Sequence, residues 1–156
     1  MSILNRSSSP IVEVMRLSSA ATLPTSAHLN DVGLDLYSNE DLFIKTGETA
    51  VVGTGIAIGI PNGYYAKIED RSSMAAAGLR TGAGVVDSGY NGEIKIVLHN
   101  LNNTTDFSHK GQGYQIKKGQ RIAQLIVQPV IPVRLAEVER LNVSDRGSNG
   151  FGSSGR

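Results

Sequence analysis

The 156 residues include no cysteine. Disulfides and thiolate metal sites are therefore excluded, and nothing points to an oxidising compartment. There is also no excess of either charge, since fifteen lysines and arginines stand against fourteen acids for a formal +1. General binders of nucleic acid or of membrane surfaces carry a clear basic excess. Neither is expected as a partner, although a local basic pocket for a small anion remains open. Apolar runs are short: none reaches bilayer-spanning length, and the opening MSILNRSSSP has none of signal-peptide length. The expectation is a soluble protein of the cytoplasm, or of a host cell's interior. Metal and nucleophile motifs are missing too. His28, His99 and His109 lie in separate segments without carboxylates at ligand spacing. No G-x-S-x-G elbow occurs, and no glycine-rich phosphate loop follows a strand and opens a helix.

What is present is a series of short apolar or alternating runs. IVEVMRL, GLDLYS, DLFI, TAVVGTGIAIGI, GYYAKIE, EIKIVLHNL, YQIKKG and RIAQLIVQPVIPVRL are each bounded by Gly, Pro, Asn or Asp. That is the pattern of a single all-β domain, and the length suffices to bury a real core. IPNGYY marks a turn, because Asn-Gly tolerates positive φ. Only SSMAAAGL, residues 72–79, predicts a helix, capped by Ser72 or Ser73 and ended by Gly78. The domain is expected over residues 11–140. A flexible N-terminal tail over 1–10 precedes it, and a glycine-rich C-terminal arm over 141–156 follows.

Five polar clusters framed by glycines exceed what a plain sandwich needs. In DVGLDLYS, Asp35 reads either as a surface carboxylate on a half-buried strand or as part of a site. In EDRSSMAAAG, Arg71, Ser72, Ser73 and outward-facing amides form a plausible anion cradle, although ordinary capping explains the serines equally well. In GAGVVDSGYNGE, small residues let backbone approach a ligand. Asp87 sits at the mouth of that segment, with Tyr90 offering a flat face beside it. Asp-Ser-Gly is also a common turn composition. In GQRIAQLIV, Gln124 interrupts an apolar run, and it either faces solvent or partners another polar group. The tail SDRGSNGFGSSGR has the composition of disorder, yet a lone Phe151 on a glycine chain also suits a closing lid.

In this order and spacing the five stretches resemble the five motifs of the trimeric deoxyuridine triphosphatases, the dUTPase family, from about residue 11 to the C-terminus. The resemblance implies an all-β, distorted β-barrel or jelly roll (a β-clip fold) with one short helix. It also implies a homotrimer whose three active sites lie between subunits, and hydrolysis of dUTP to dUMP and pyrophosphate with Mg²⁺ as cofactor. Asp87 matches the family's catalytic carboxylate, which activates the water attacking the α-phosphorus. Tyr90 matches the aromatic under the deoxyribose. Gly84, Val85 and Val86, with Lys95 opposite, match the hairpin that reads uracil. Arg71, Ser72 and Ser73 match the phosphate grip, and Asp35 and Gln124 match positions that hold waters of a triphosphate-bound Mg²⁺. In the arm, Arg146 and Phe151 match phosphate and base contacts, with Gly152, Ser153 and Ser154 towards the γ-phosphate.

Three positions depart from the family's commonest pattern, namely Asp70 beside Arg71, Gly89 and Gln120. For Asp70 the expectation is a side chain turned away from the phosphates. One rival reading is a deoxycytidine triphosphate deaminase, which shares the fold, the R-S-S cluster and a similar hairpin. Its deaminating glutamate would fall on Val97, which cannot move a proton, and Glu93 lies too far along the strand to replace it. The other rival is a non-catalytic nucleotide-binding trimer, against which the intact Asp87, Arg71 and Phe151 speak.

Overall fold

A computed structural model describes residues 9–102, 113–145 and 147–148. Ten strands and one short helix run β1 (Glu13–Arg16), β2 (Leu34–Tyr37), β3 (Leu42–Lys45), β4 (Thr49–Gly59), β5 (Tyr64–Glu69), α1 (Ser72–Ala76), β6 (Leu79–Gly82), β7 (Val85–Asp87), β8 (Glu93–Asn100), β9 (Gly113–Ile116) and β10 (Arg121–Pro129). All pairings are antiparallel. One sheet has the order β1-β4-β8-β6, a second β2-β10-β5-β7, and a ribbon pairs β3 with β9. This is the expected all-β architecture of packed sheets with one short helix.

Period-two burial builds the core. On β8, Ile94, Ile96, Leu98 and Asn100 point inward, while Glu93, Lys95, Val97 and His99 lie on the opposite face. Leu36, Ile122, Ala123 and Leu125 from the second sheet are fully buried with them. Each such aliphatic side chain contributes about 1.5–3 kcal/mol on leaving water. The buried Asn100 amide donates to the Ile44 carbonyl at 2.9 Å and so ties β8 to the ribbon.

IPNGYY is a turn, with Gly63 at φ +83 and the Tyr64 amide donating to the Pro61 carbonyl. It leads from one sheet into the other, because β4 and β5 do not pair. The helix differs from expectation at both ends. Arg71, not a serine, is its N-cap, and no side chain bonds the first turn. The helical residues end at Ala76, Gly78 follows at φ +79, and Leu79 already belongs to β6. The last strand also stops earlier than its apolar run. Pairing ends at Pro129, whose successor Val130 donates to Gly63, and apolar residues beyond it such as Leu135 and Val143 lie fully exposed on this chain. The expected N-terminal tail falls largely on residues 1–8, outside the described residues.

Candidate active site

Between β6 and β7 the backbone turns sharply through Ala83 at φ +57 and Gly84 at φ +113. A side chain on Gly84 would be strained by that φ, and its Cβ would lie 3.0 Å from the Ile68 carbonyl oxygen. The Gly84 carbonyl accepts from the Ile68 amide at 2.7 Å, which holds this turn against β5. Val85, Val86 and Asp87 then pair with Lys67, Ala66 and Tyr65. Val86 points into the core, while Val85 and Asp87 stand exposed on the other face. The Tyr90 amide donates back to the Asp87 carbonyl at 3.0 Å and closes the turn.

The Tyr90 hydroxyl donates to the Glu93 carbonyl at 2.9 Å, and its ring lies against Gly92, where any side chain would collide with it. Glu93 Oε1 accepts from the Gly55 amide at 2.9 Å, and Lys95 Nζ lies 3.6 Å from Glu93 Oε2. Ile68, Gly82 to Asp87, Tyr90 and Glu93 to Lys95 together enclose a cavity of about 230 Å³. The hairpin residues Gly84, Val85 and Val86 thus meet Lys95, Asp87 and Tyr90 around one pocket. Drug-sized ligands take roughly 300–1,000 Å³, so the space suits a smaller guest, with backbone amides and carbonyls at its wall, a carboxylate at its mouth and one aromatic face.

A second cluster forms at the far end of β5. Arg71 Nε donates to Asp35 Oδ1 at 2.7 Å, and its terminal nitrogen reaches Ser73 Oγ at 3.2 Å. Arg121 donates to Asp35 Oδ2, also at 3.2 Å. Two guanidinium groups against one carboxylate leave the cluster with a net positive charge, and Ser72 and Ser73 are exposed beside it. Gln124, the cross-strand neighbour of Asp35, donates to the Asp70 carbonyl at 2.7 Å. It is therefore a partner within the cluster and not merely a solvated residue. Sequence reasoning passed over Arg121, although it lies inside GQRIAQL. An arginine opening an apolar strand reads as a solvated charge, and its partner Asp35 is 86 positions away.

Asp35 and Gln124 fit Mg²⁺ in one sense only. Mg²⁺ keeps several waters and takes one or two carboxylates together with substrate phosphates. Here Asp35 and Gln124 are cross-strand neighbours, and both carboxylate oxygens already accept from arginines. Such a pair suits a hydrated ion carried by a polyphosphate. Among the described residues, no three His, Cys, Asp or Glu side chains are gathered as a metal cage.

Of the departing positions, Asp70 does turn away from Arg71: its carboxylate bonds Thr81 and Arg80. Burial alone would push that carboxyl up. The Thr81 amide and hydroxyl and the Arg80 guanidinium outweigh burial and hold it below the usual aspartate range. Gln120 accepts from the Lys117 amide and donates to Tyr114, a turn contact, and Gly89 has open space around it. The arm residues Arg146, Phe151, Gly152, Ser153 and Ser154 lie outside the described residues.

The sequence profile of the dUTPase family matches residues 19–155. The chain belongs to the dUTPase family. The deoxyuridine 5'-triphosphate nucleotidohydrolase of Clostridium acetobutylicum is 39% identical over 147 residues, covering 92% of this chain and 96% of that protein. The enzyme of the same name from Saccharomyces cerevisiae is 36% identical over 154 residues, covering 97% and 99%. Among solved structures, the dUTPase of Staphylococcus bacteriophage 80alpha with dUPNHPP superposes with a TM-score of 0.86 at 32% identity. It covers 95% of this chain and the whole of that one. A mutant dUTPase from phage phi11 of S. aureus, described with a structural Mg(II) ion, gives a TM-score of 0.77 at 27% identity over 86% of this chain and all of that one.

Proposed function

We propose that this dUTPase-family chain hydrolyses dUTP to dUMP and pyrophosphate. The reading rests on one observation above the rest: the Asp87 carboxylate stands exposed at a glycine-walled pocket that Tyr90 also lines, while the pocket's other carboxylate, Glu93, is engaged by the Gly55 amide and Lys95. Uracil enters that pocket and pairs with backbone of Gly84 to Val86. Backbone donors and acceptors discriminate strongly between bases, because the wrong base leaves a buried polar group unpaired. Excluding a 5-methyl group by packing adds about 1–3 kcal/mol. Tyr90, held down by its bond to Glu93, stacks under the deoxyribose and leaves no room for a 2′-hydroxyl.

Asp87 accepts a proton from a water, whose oxygen attacks the α-phosphorus in line with the departing pyrophosphate. Phosphoryl transfer is governed by positioning and charge neutralisation. Arg71 and Arg121 supply the positive charge, with Ser72 and Ser73 as further donors. Asp35 and Gln124 would hold waters of a Mg²⁺ carried by the triphosphate, which would supply further charge neutralisation on the phosphates.

These two clusters of one chain do not serve one substrate. Asp35, Gln124 and Glu69 form one cross-strand row, and Asp87, Tyr65 and Gln128 another, four residues along β5 and up to three strands away. That places Asp35 roughly 20 Å from Asp87, a separation that favours sites shared between subunits, as the resemblance to the trimeric dUTPases implies. Each complete site therefore combines the base pocket of one subunit with the phosphate cluster of another in a homotrimer. An arm carrying Arg146, Phe151, Gly152, Ser153 and Ser154 closes over it.

Incubating the protein with dUTP, UTP, dTTP and dCTP and measuring pyrophosphate and ammonia is the direct test. Pyrophosphate from dUTP alone is expected. Ammonia from dCTP would replace this reading with deamination, and neither product would leave a binding protein.

A further inference from the structure

Asp70 places a second acid beside the arginine of the phosphate cluster, and its contacts run in two directions. Its main-chain carbonyl accepts from Gln124, and the next residue in the chain is Arg71. Its carboxylate reaches the other way. Oδ1 accepts from the Thr81 amide at 2.6 Å and from the Thr81 hydroxyl at 2.8 Å, while Oδ2 pairs with Arg80 Nε. Thr81 leads directly into Gly82, Ala83 and Gly84, the wall of the base pocket. β5, which Asp70 follows, belongs to one sheet, and β6, which carries Thr81, belongs to the other.

We infer that Asp70 is a positioning residue that locks the base-pocket wall to the arginine of the phosphate cluster, and that Arg80 neutralises it so that the phosphate side keeps its positive charge. The assignment rests on the function proposed above and deepens it. Ala83 and Gly84 both have positive φ, which Ala83 does not favour intrinsically. The Ile68 amide holds the far side of that turn at the Gly84 carbonyl, and the two bonds from the Asp70 carboxylate fix Thr81, two residues before Ala83, on its near side. The same carboxylate, left bare, would oppose a triphosphate bound at Arg71, and the Arg80 guanidinium is placed to cancel it. Because the two clusters of a chain contribute to different sites in the proposed trimer, Asp70 also links one site's base wall to its neighbour's phosphate grip.

The test compares Asp70→Ala, Asp70→Asn and Arg80→Ala in the full chain, reading dUTP hydrolysis, deoxyuridine affinity and melting temperature. Asp70→Ala is expected to raise KM for dUTP and weaken deoxyuridine by about tenfold, the scale of a lost charge-assisted bond. Asp70→Asn keeps an acceptor for Thr81 and should recover deoxyuridine affinity to within about threefold of wild type. Arg80→Ala leaves the Thr81 bonds in place but bares the charge, so its KM should rise at low ionic strength and return towards wild type as salt screens it. If Asp70→Ala does not fold, Thr81→Val removes the hydroxyl bond alone and should still weaken deoxyuridine. A fall in melting temperature with KM and deoxyuridine affinity unchanged would make Asp70 merely structural and overturn the inference. So would an asparagine variant no better than alanine. A wild-type chain that turned over no dUTP would defeat only the proposed function, because the deoxyuridine comparison still reads Asp70.

Discussion

Arg71 and Asp35, 36 positions apart in the chain, form an ion pair at 2.7 Å in which both side chains are largely buried. The pair fixes the direction of the guanidinium, and Arg121 shares the same carboxylate. Asp35→Asn keeps the shape and removes the charge. It is expected to reduce the rate gained on adding Mg²⁺ while leaving deoxyuridine affinity unchanged, as titrating Mg²⁺ into the variant and the wild type will show. Arg71→Lys loses the planar fork and should raise KM for dUTP by about tenfold or more, on the scale of a charged hydrogen bond.

Asp87→Asn addresses the chemistry itself. The amide is nearly isosteric, so binding of a non-hydrolysable dUTP analogue should persist. It cannot take the water's proton, and a general base supplies ~10²–10⁴-fold in rate. Single-turnover hydrolysis with saturating enzyme measures that loss directly. Turnover within a few-fold of wild type would remove Asp87 from the role.

Tyr90 combines a flat face with a tethered hydroxyl. Tyr90→Phe keeps the face and loses the bond to the Glu93 carbonyl, a change worth about 0.5–1.5 kcal/mol. Modest loss of activity with preserved preference for dUTP over UTP is expected. Tyr90→Ala opens the floor under the sugar, and the ratio of kcat/KM for dUTP to that for UTP should fall steeply. An unchanged ratio in the alanine variant would end the sugar-discriminating role.

Much of this was legible from residue pattern, for definite reasons. Period-two burial marked β5 and β8, because one face of each is packed, whereas β4, buried on both faces over Thr54 to Ile58, was marked by its apolar run. β6 escaped: LRTG has a single buried residue, Leu79, and is a strand only because β8 lies beside it. The extent of the helix was misjudged for a related reason, since the Ala-rich run favours helix while Leu79 is drawn into the sheet. The pocket at the β6–β7 turn is lined mostly by neighbouring residues between Gly82 and Lys95, so the residues that meet there could be named from one stretch. The phosphate cluster joins Asp35, Arg71 and Arg121 across three elements, and such long-range pairing leaves no local mark on an arginine.

The pH dependence of stability should carry a signature of Asp70. Its carboxyl is held below the usual aspartate value by Thr81 and Arg80, which overcome burial. A lowered folded pKa means that the stabilisation is fully present above the unfolded value, about 4. It is then lost as the pH falls through the folded one. Asp70→Asn removes the titration, so the stability gap between wild type and variant should be constant near neutrality and shrink on acidification below about pH 4. Denaturant unfolding at several pH values will show whether it does. A gap that does not change across that range would mean Asp70 gains no net favourable contacts on folding.

The arm is where composition and family resemblance pull hardest against each other. By composition alone SDRGSNGFGSSGR reads as a segment that needs a ligand to order, and ordering about ten residues costs something like 1–2 kcal/mol each in backbone freedom. Only a highly charged ligand combined with base stacking offsets a cost of that size. Saturating dUTP analogue with Mg²⁺ should therefore slow hydrogen exchange over residues 146–154, whereas uridine or dUMP should do so weakly. The packed strands end at Pro129, well before the arm begins. Deleting residues 146–156 should accordingly leave melting temperature and oligomeric mass unchanged while cutting turnover steeply. If the truncated enzyme keeps full activity, or the tail gains no protection at saturation, the arm is not a lid and the base pocket must exclude water without it.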